Sequence, residues 1–451
     1  MKREDVAKTL PRLADICVET DCIDPVLYTE FNVKRGLRDL SGKGVVTGLT
    51  DISTIISSKE YNGEQVPCRG ELYYRGINVS ELVEGFQNDN RFGFEEICYL
   101  LIFGKLPNAE QLEEFKNIIS AYMSLPPSFV RDIIMKAPSK DMMNTLARSV
   151  LALYSYDDNP NDTSVQNVLR QCLQLLAEFP LLAVYGYQTY NYYHGGKSLY
   201  IHEARSNLSI AENTLRLLRP NKKYTDTEAK LLDLALVLHA EHGGGNNSTF
   251  SCRSVASTGT DTYSAIAAAV GSLKGPKHGG ANRAVLNQFE ECKRSIRDWK
   301  DDEEVAAFVK RILRGEVSDH TGLVYGMGHA IYTLSDPRAV ILKHGARRLA
   351  QQKGMLDELE LMEAIERVTP AAFAEVTGSE KVMCANVDMY SGLVYQMLDI
   401  PSDLFTPLFA VARIAGWCAH RMEETLTGGR IYRPAYKSML RHREYIPFDE
   451  R

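Results

Sequence analysis

Four of the ten histidines stand beside glycine-rich breaks, or at the end of a helix that runs into one. Loops carried on a rigid scaffold are where chemistry concentrates. His239-Ala240-Glu241-His242 closes the apolar run Leu231 to Leu238, and a spacing of three places both imidazoles on one helix face. A metal is the first reading of such a pair, but the pattern is not H-E-x-x-H and no third ligand lies nearby in sequence. Core or capping histidines, or a histidine that contacts an anion, remain. Gly275-Pro276-Lys277-His278-Gly279-Gly280-Ala281-Asn282 sets His278 at a helix start, where the positive helix end lowers the cost of a neutral imidazole. A neutral imidazole there either caps the helix or donates a hydrogen bond to a carbonyl that is becoming an enolate.

Gly326-Met327-Gly328-His329 carries a third histidine on a close-approach loop, and Asp336-Pro337-Arg338 follows with the residues of a helix start. Arg338 is either an exposed helix arginine or a guanidinium that forks onto a substrate carboxylate. Asn386-Val387-Asp388 places a carboxylate among apolar neighbours; it either caps a helix or has its pKa set for base work. Arg413 sits in the apolar run Phe405 to Trp417, and a buried arginine needs an anion, from the protein or from a ligand. Gly36 to Lys43 is not a phosphate loop: five residues, not four, separate Gly36 from Gly42, and Gly44 stands where Ser or Thr is required.

The elements that must position these residues read at helical period. In Asn108 to Tyr122 apolar positions recur at steps of three and four, and Asn108 with Gln111 gives an N-terminal capping signal. Similar spacing predicts helices near 93–104, 165–187, 202–217, 227–241, 261–274, 302–314, 338–352, 357–374 and 404–424. The predicted fold class is therefore mainly α. A little β is expected near the N-terminus, with 44–50 and 70–76 pairing as short strands.

The 451 residues suffice for two or three domains, and 44% hydrophobic with 24% charged residues is the composition of a globular chain. A net charge of -6, with lysines and arginines scattered singly, gives no electrostatic footprint for nucleic acid. No window approaches 18 uninterrupted apolar residues and the N-terminus has no apolar h-region, so no membrane partner and a cytoplasmic location are expected. The nine cysteines include no C-x-x-C pair and are expected as free thiols, with Cys384 the one near a motif.

In their order along the chain these segments resemble the citrate synthase family. The resemblance begins at Gly70-Glu-Leu-Tyr-Tyr-Arg-Gly76, runs through Phe94 to Pro107, and ends at Arg433-Pro434. It implies a two-domain helical fold, with a large domain of 1–277 plus 388–451. A small domain of 278–387 would form the CoA side of a cleft that closes. It implies His242, His329, Arg338, Arg413 and Arg433 as oxaloacetate ligands, and His278, His329 and Asp388 as catalytic residues. Gly326, Met327 and Gly328 are expected to contact CoA. The implied activity condenses acetyl-CoA with oxaloacetate and water, through an enol or enolate and citryl-CoA, to citrate and CoA. No metal and no cofactor is implied. The partners are the two substrates and a second copy of the chain, in a homodimer or higher homo-oligomer with Arg433 contributed across the interface.

The chain departs from the family pattern at Ala385, where proline is frequent, at Met389, where an aromatic is frequent, and at Thr333, where a basic residue is frequent. These lie beside the reacting groups and bear on the acyl chain and CoA. Two other readings stand beside the first: a 2-methylcitrate synthase using propionyl-CoA, and a catalytically silent relative that acts by binding or assembly.

Overall fold

A computed structural model describes residues 3–20, 23–39, 44–379 and 382–451. Part of the rejected phosphate-loop segment, residues 40–43, lies outside the described residues, as does Cys22. The chain forms two compact units. One comprises Met1–Leu49 with Arg433–Arg451. It contains helices α1 (Arg3–Thr20) and α2 (Val26–Glu30), and in it the Lys437 ammonium lies 3.8 Å from the centroid of the Phe31 ring.

The other unit, Thr50–Tyr432, opens with strands β1 (Ser53–Tyr61), β2 (Glu64–Tyr74) and β3 (Ile77–Asn78). Helices follow: α3 (Val79–Asn88), α4 (Phe94–Phe103), α5 (Ala109–Tyr122), α6 (Met142–Leu153), α7 (Val165–Gly195), α8 (Ile210–Leu218) and α9 (Asp226–His239). Then come α10 (Asn247–Ala256), α11 (Thr262–Lys274), α12 (Ala281–Ser295), α13 (Asp302–Leu313), α14 (Pro337–Lys353), α15 (Leu356–Thr377), α16 (Asp388–Met397) and α17 (Phe405–Thr427). The mainly α expectation holds, and α5 carries the Asn108–Gln111 capping box.

Two expectations need correction. Residues 44–50 form no strand; Gly44 makes only an isolated bridge to Arg38. The partner of β2 is β1, antiparallel, with Ser53 opposite Tyr74 and Tyr61 opposite Glu64. The turn between them is Asn62-Gly63 with both φ positive, 52° and 84°, the two-residue geometry that matches strand twist and that Asn-Gly favours. The predicted helix 202–217 starts only at Ile210. Upstream, the Asn213 amide donates to the carbonyls of Arg205 and Leu208 and accepts from the Arg205 N–H. That local bonding holds the chain off the helical path until Ser209 and Glu212 close a capping box.

At the centre lies α17, which packs against α4, α7, α9, α10 and α11. It is buried on nearly its whole circumference, the mark of a core helix rather than a surface one. The 31-residue α7 has the length and apolarity of a membrane span, but 83% of its apolar window is buried inside the protein. Gly416 lets α17 approach the end of α9: a Cβ there would fall on the Glu241 carboxylate and 2.6 Å from the Ala240 carbonyl oxygen. Gly416→Ala should therefore lower stability by about 1–3 kcal/mol. Gly271→Ala, on an open face of α11 with nothing within 4 Å, should be neutral or stabilising by up to about 1 kcal/mol. Urea unfolding of the two variants beside the parent checks the contrast.

Candidate active site

Helix α9 begins with the Thr225–Glu228 capping box and ends against α17. Helix ends leave carbonyls without partners; here three in succession are met by other elements. Arg413 Nε donates to the His239 carbonyl at 2.7 Å, Gly416 N–H to the Ala240 carbonyl at 3.2 Å, and Tyr74 Oη to the Glu241 carbonyl at 3.1 Å. Arg413 is 0% exposed and lies over the Phe409 ring, 4.7 Å from its centroid. Its Nη1 and Nη2 are buried and have no hydrogen-bond partner among the described residues. Burial lowers its pKa to about 10, opposed by the negative charge of Glu241. Two unpaired donors on a buried cation are costly, and a carboxylate is the group that fits both.

The His239–His242 pair separates into two roles. His239 Nδ1 lies 2.7 Å from the Ala235 carbonyl, so that nitrogen carries the proton, and its ring packs on Phe409. Burial pushes its pKa down to about 3. His242, just beyond the helix, stands edge-on to His329 with ring centroids 5.2 Å apart and at 5.6 Å from Tyr332. Its Nε2 is buried and unpartnered. Burial, and then the Arg338 charge, hold it neutral, well below the usual histidine range.

His329 is tautomerically fixed by its own loop. The N–H groups of Ile331 and Tyr332 both donate to its Nδ1, each at 3.0 Å. Nδ1 is thus the acceptor, and a neutral ring keeps its proton on Nε2. Arg338 opens α14, whose N-cap is Asp336 with Pro337 at the first turn. Of its two readings the exposed helix arginine is excluded: it is 4% exposed and forked onto Asp336, Nε to Oδ1 at 3.0 Å and Nη2 to Oδ2 at 2.7 Å. Burial alone would weaken the cation, but the Asp336 carboxylate overrides it. Among the described residues Nη1 has no hydrogen bond and is left for another acceptor.

Asp388 does not cap α16. The N-cap is Val387, and the Asn386 side chain instead accepts from the Asp388 N–H at 3.0 Å. The Asp388 carboxyl makes no hydrogen bond among the described residues. Burial raises its pKa to about 6, with Arg338 pulling the other way. The loops of His329 and Asp388 are bonded to each other: Gly328 N–H donates to the Cys384 carbonyl and Asn386 N–H to the Gly326 carbonyl, both at 2.8 Å. Asn386 Nδ2 adds a bond to the Gly328 carbonyl at 2.9 Å. Gly326 has φ +82°, and a Cβ there would meet Met389 at 2.8 Å from Sδ.

His278 lies in the turn before α12, half-buried. Its Nε2 is 3.1 Å from both Asn246 Oδ1 and Ser248 Oγ, and Trp417 Nε1 donates to the same Ser248 oxygen at 3.2 Å. Burial, then the Arg413 charge, lower its pKa to about 4. The expectation of a neutral imidazole therefore stands on burial.

The structure thus brings together His242, His329, Arg338, Asp388, Arg413 and His278 through shared contacts and electrostatic coupling. Arg433 belongs to the other unit and is exposed. The N–H groups of Met327 and Gly328 are engaged within the protein, with the Val324 and Cys384 carbonyls. Ala385 and Met389 are both 2% exposed and pack under the loop. Cys384 is a buried thiol pushed up to about 12 by burial, and the eight described cysteines are free. Sequence reasoning passed over Asp336 as a charge partner, and over Asn246 and Ser248 behind His278. The Asn246-Asn247-Ser248 triplet after the glycines of 243–245 is the signal that could have flagged the latter.

Fold and site define a mainly helical protein in which buried guanidinium groups and neutral imidazoles accompany a carboxyl of raised pKa. A family model, "Citrate synthase, C-terminal domain", matches residues 39–435. A citrate synthase of Synechocystis sp. is 37% identical over 384 residues, 85% of this chain and 88% of that protein. A 2-methylcitrate synthase of Shewanella oneidensis is 32% identical over 364 residues, 81% and 87% respectively. The solved ternary complex of carboxymethyl coenzyme A and oxaloacetate with the citrate synthase of Thermoplasma acidophilum superposes with a TM-score of 0.74 at 26% identity, covering 92% of this chain and 99% of that one. The chain belongs to the citrate synthase family, enzymes that transfer an acyl group and convert it to an alkyl group in the transfer.

The Asp388 carboxyl is raised to about 6, while the His278 imidazole stays neutral down to about 4. If turnover needs the ionised Asp388 carboxylate, kcat/KM for the acyl-CoA should fall below pH 6 with unit slope, as one proton adds to it. Initial rates between pH 5 and 9 at saturating oxaloacetate measure this; a profile still flat down to pH 5 would exclude Asp388 as the titrating group.

Proposed function

We propose that this site condenses acetyl-CoA with oxaloacetate and water to give citrate and free CoA. One observation carries the reading: a carboxylate whose pKa is raised by burial lies in the field of two buried guanidinium groups, one with two unpartnered nitrogens. A methyl thioester is a weak carbon acid, and its deprotonation needs a base held dry and an acceptor for the developing oxyanion.

Asp388 takes a proton from the acetyl methyl, and the electron pair moves onto the thioester oxygen. The neutral His278 imidazole gives a hydrogen bond to that oxygen. The enol carbon attacks the keto carbon of oxaloacetate, whose carboxylates are held by Arg413 and by Nη1 of Arg338, with His242 against the substrate. His329 Nε2–H delivers its proton to the new alkoxide. Water then cleaves the thioester of citryl-CoA, releasing the thiol. Each step uses groups of the chain and water, so the reaction calls for no metal and no redox cofactor.

The partner subunit's Arg433 is the third carboxylate ligand in this reading, in a homodimer or higher homo-oligomer; family pattern and exposure of the residue support it. Residues 1–277 with 388–451 act as the large domain and 278–387 as the small one, closing over the substrates. The loop at Gly326, Met327 and Gly328 borders the CoA side, and the enzyme is cytoplasmic. The second reading, 2-methylcitrate synthesis from propionyl-CoA, is favoured by the Shewanella relative. One methylene changes binding by only about 1–3 kcal/mol.

Thiol release should proceed with oxaloacetate plus acetyl-CoA at a higher kcat/KM than with propionyl-CoA, and the reverse order would assign the chain to 2-methylcitrate synthesis. Asp388→Asn should reduce kcat by about 10²–10⁴-fold, the range of a lost general base, while calorimetry finds oxaloacetate binding within a few-fold of the parent. An active Asp388→Asn enzyme would show a different base, and a parent inert with both thioesters would mark a silent relative.

A further inference from the structure

The small β-sheet and a buried histidine of α17 converge on one turn, residues 241–243, which carries His242 at its centre. Glu241 is 0% exposed. Its Oε1 accepts three hydrogen bonds: from Ser53 Oγ at 2.9 Å, from the Gly243 N–H at 2.7 Å and from His420 Nε2 at 3.0 Å. The bond to Gly243 spans His242 and closes the turn, with Gly243 at φ +87° and a Cβ position 2.9 Å from Ile55 Cδ1. Ser53 Oγ also accepts from the Gly243 N–H at 3.1 Å.

The direction of the His420 bond is set from behind. Arg253 Nη1 lies 3.0 Å from His420 Nδ1; a guanidinium only donates, so Nδ1 is the acceptor and Nε2 keeps the hydrogen that points at Glu241. Arg253 is in turn fixed by Glu423, by Glu424 at 3.2 Å and by Tyr432 Oη at 3.2 Å. On the other side, Tyr74 Oη donates to the Val237 and Glu241 carbonyls at 3.0 and 3.1 Å. Ser53 and Tyr74 are cross-strand partners at the base of the β1–β2 hairpin, so one rung of the sheet grips both the side chain and the backbone of Glu241.

We propose that Ser53, Tyr74, Glu241 and His420 form a clamp that positions His242 for the keto acid, and that the β1–β2 hairpin serves the site as its brace. This deepens the proposed function and rests on it. These are positioning residues, acting through the 241–243 turn. Their effect should fall on the oxaloacetate side and spare the acyl-CoA side, because His278 and Asp388 are held by Ser248, Asn246 and Asn386 instead. Loss of one hydrogen bond to a buried charge corresponds to about a tenfold effect or more.

The test uses steady-state kinetics with both substrates varied, oxaloacetate calorimetry and thermal unfolding on the full chain. His420→Leu should raise KM and Kd for oxaloacetate by about tenfold or more with KM for acetyl-CoA unchanged, and His420→Gln, which can accept from Arg253 and donate to Glu241, should restore them. Ser53→Ala, a smaller change, should raise the oxaloacetate constants alone by about three- to tenfold and decides the matter if His420→Leu does not fold. Parallel loss for both substrates, no loss in a folded variant, or failure of His420→Gln to recover overturns the clamp. A parent that does not bind oxaloacetate overturns the clamp together with the functional reading; a parent that binds it beside variants that bind equally well overturns the clamp alone.

Discussion

A guanidinium sealed in the protein core without an anion on its two terminal nitrogens is the constraint on which the rest of the structure depends. Removing such a charge from water costs several kcal/mol unless it is compensated. Arg413 is compensated only in part, by the His239 carbonyl, the Phe409 ring and the nearby Glu241 charge. Each of these needs its own support. The carbonyl must come from the end of α9, the ring from one turn earlier on α17, and Glu241 must remain ionised in a dry place. Burial opposes that ionisation, and His420 with Ser53 restores it, so that the carboxyl is held down at about 2.

The same site contains a carboxylate treated in the opposite way. Asp336 is held by Arg338 in a two-point ion pair and Glu241 accepts three hydrogen bonds on Oε1, whereas the Asp388 carboxyl accepts none among the described residues and is raised to about 6. The three acids thus differ in the hydrogen-bond partners that surround them. The imidazoles sort by the same rule. His239 is committed to the helix behind it, while the loop amides of Ile331 and Tyr332 leave His329 with its proton on the other nitrogen.

Much of this was legible in the sequence where the signal is local. The Asn108–Gln111 capping box, the Asp336-Pro337 helix start and the apolar period of α5, α9 and α17 each depend on neighbours within a few positions. Helices α3, α6 and α10 were passed over, and α12 and α16 were read only at their starts. Asn247–Ala256 is rich in small polar residues, and Asp388–Met397 is buried on nearly all sides, so neither displays an amphipathic stripe. The Asn62-Gly63 turn was present to be read, and would have moved the strand pairing from 44–50 to 53–61. The partners of Glu241 could not be read at all: Ser53 and His420 stand 188 and 179 positions away, and nothing in a single chain marks such a meeting. Ordered motifs located six of the seven expected side chains in one site, and Arg433 lies in the other unit.

The bonded pair of loops at 326–328 and 384–386 has a consequence for how this enzyme can vary. His329 and Asp388 are attached to two backbone segments joined by three hydrogen bonds, with Met389 filling the space that Gly326 leaves open. The imidazole and the carboxyl are therefore mounted on a single rigid jaw. Natural or designed substitutions at Ala385 or Met389 that widen the room for a longer acyl chain must shift the His329 loop by the same movement. Reshaping one segment is mechanically inseparable from moving the other in this fold, so substitutions are expected to arise with compensating changes on both segments rather than on one.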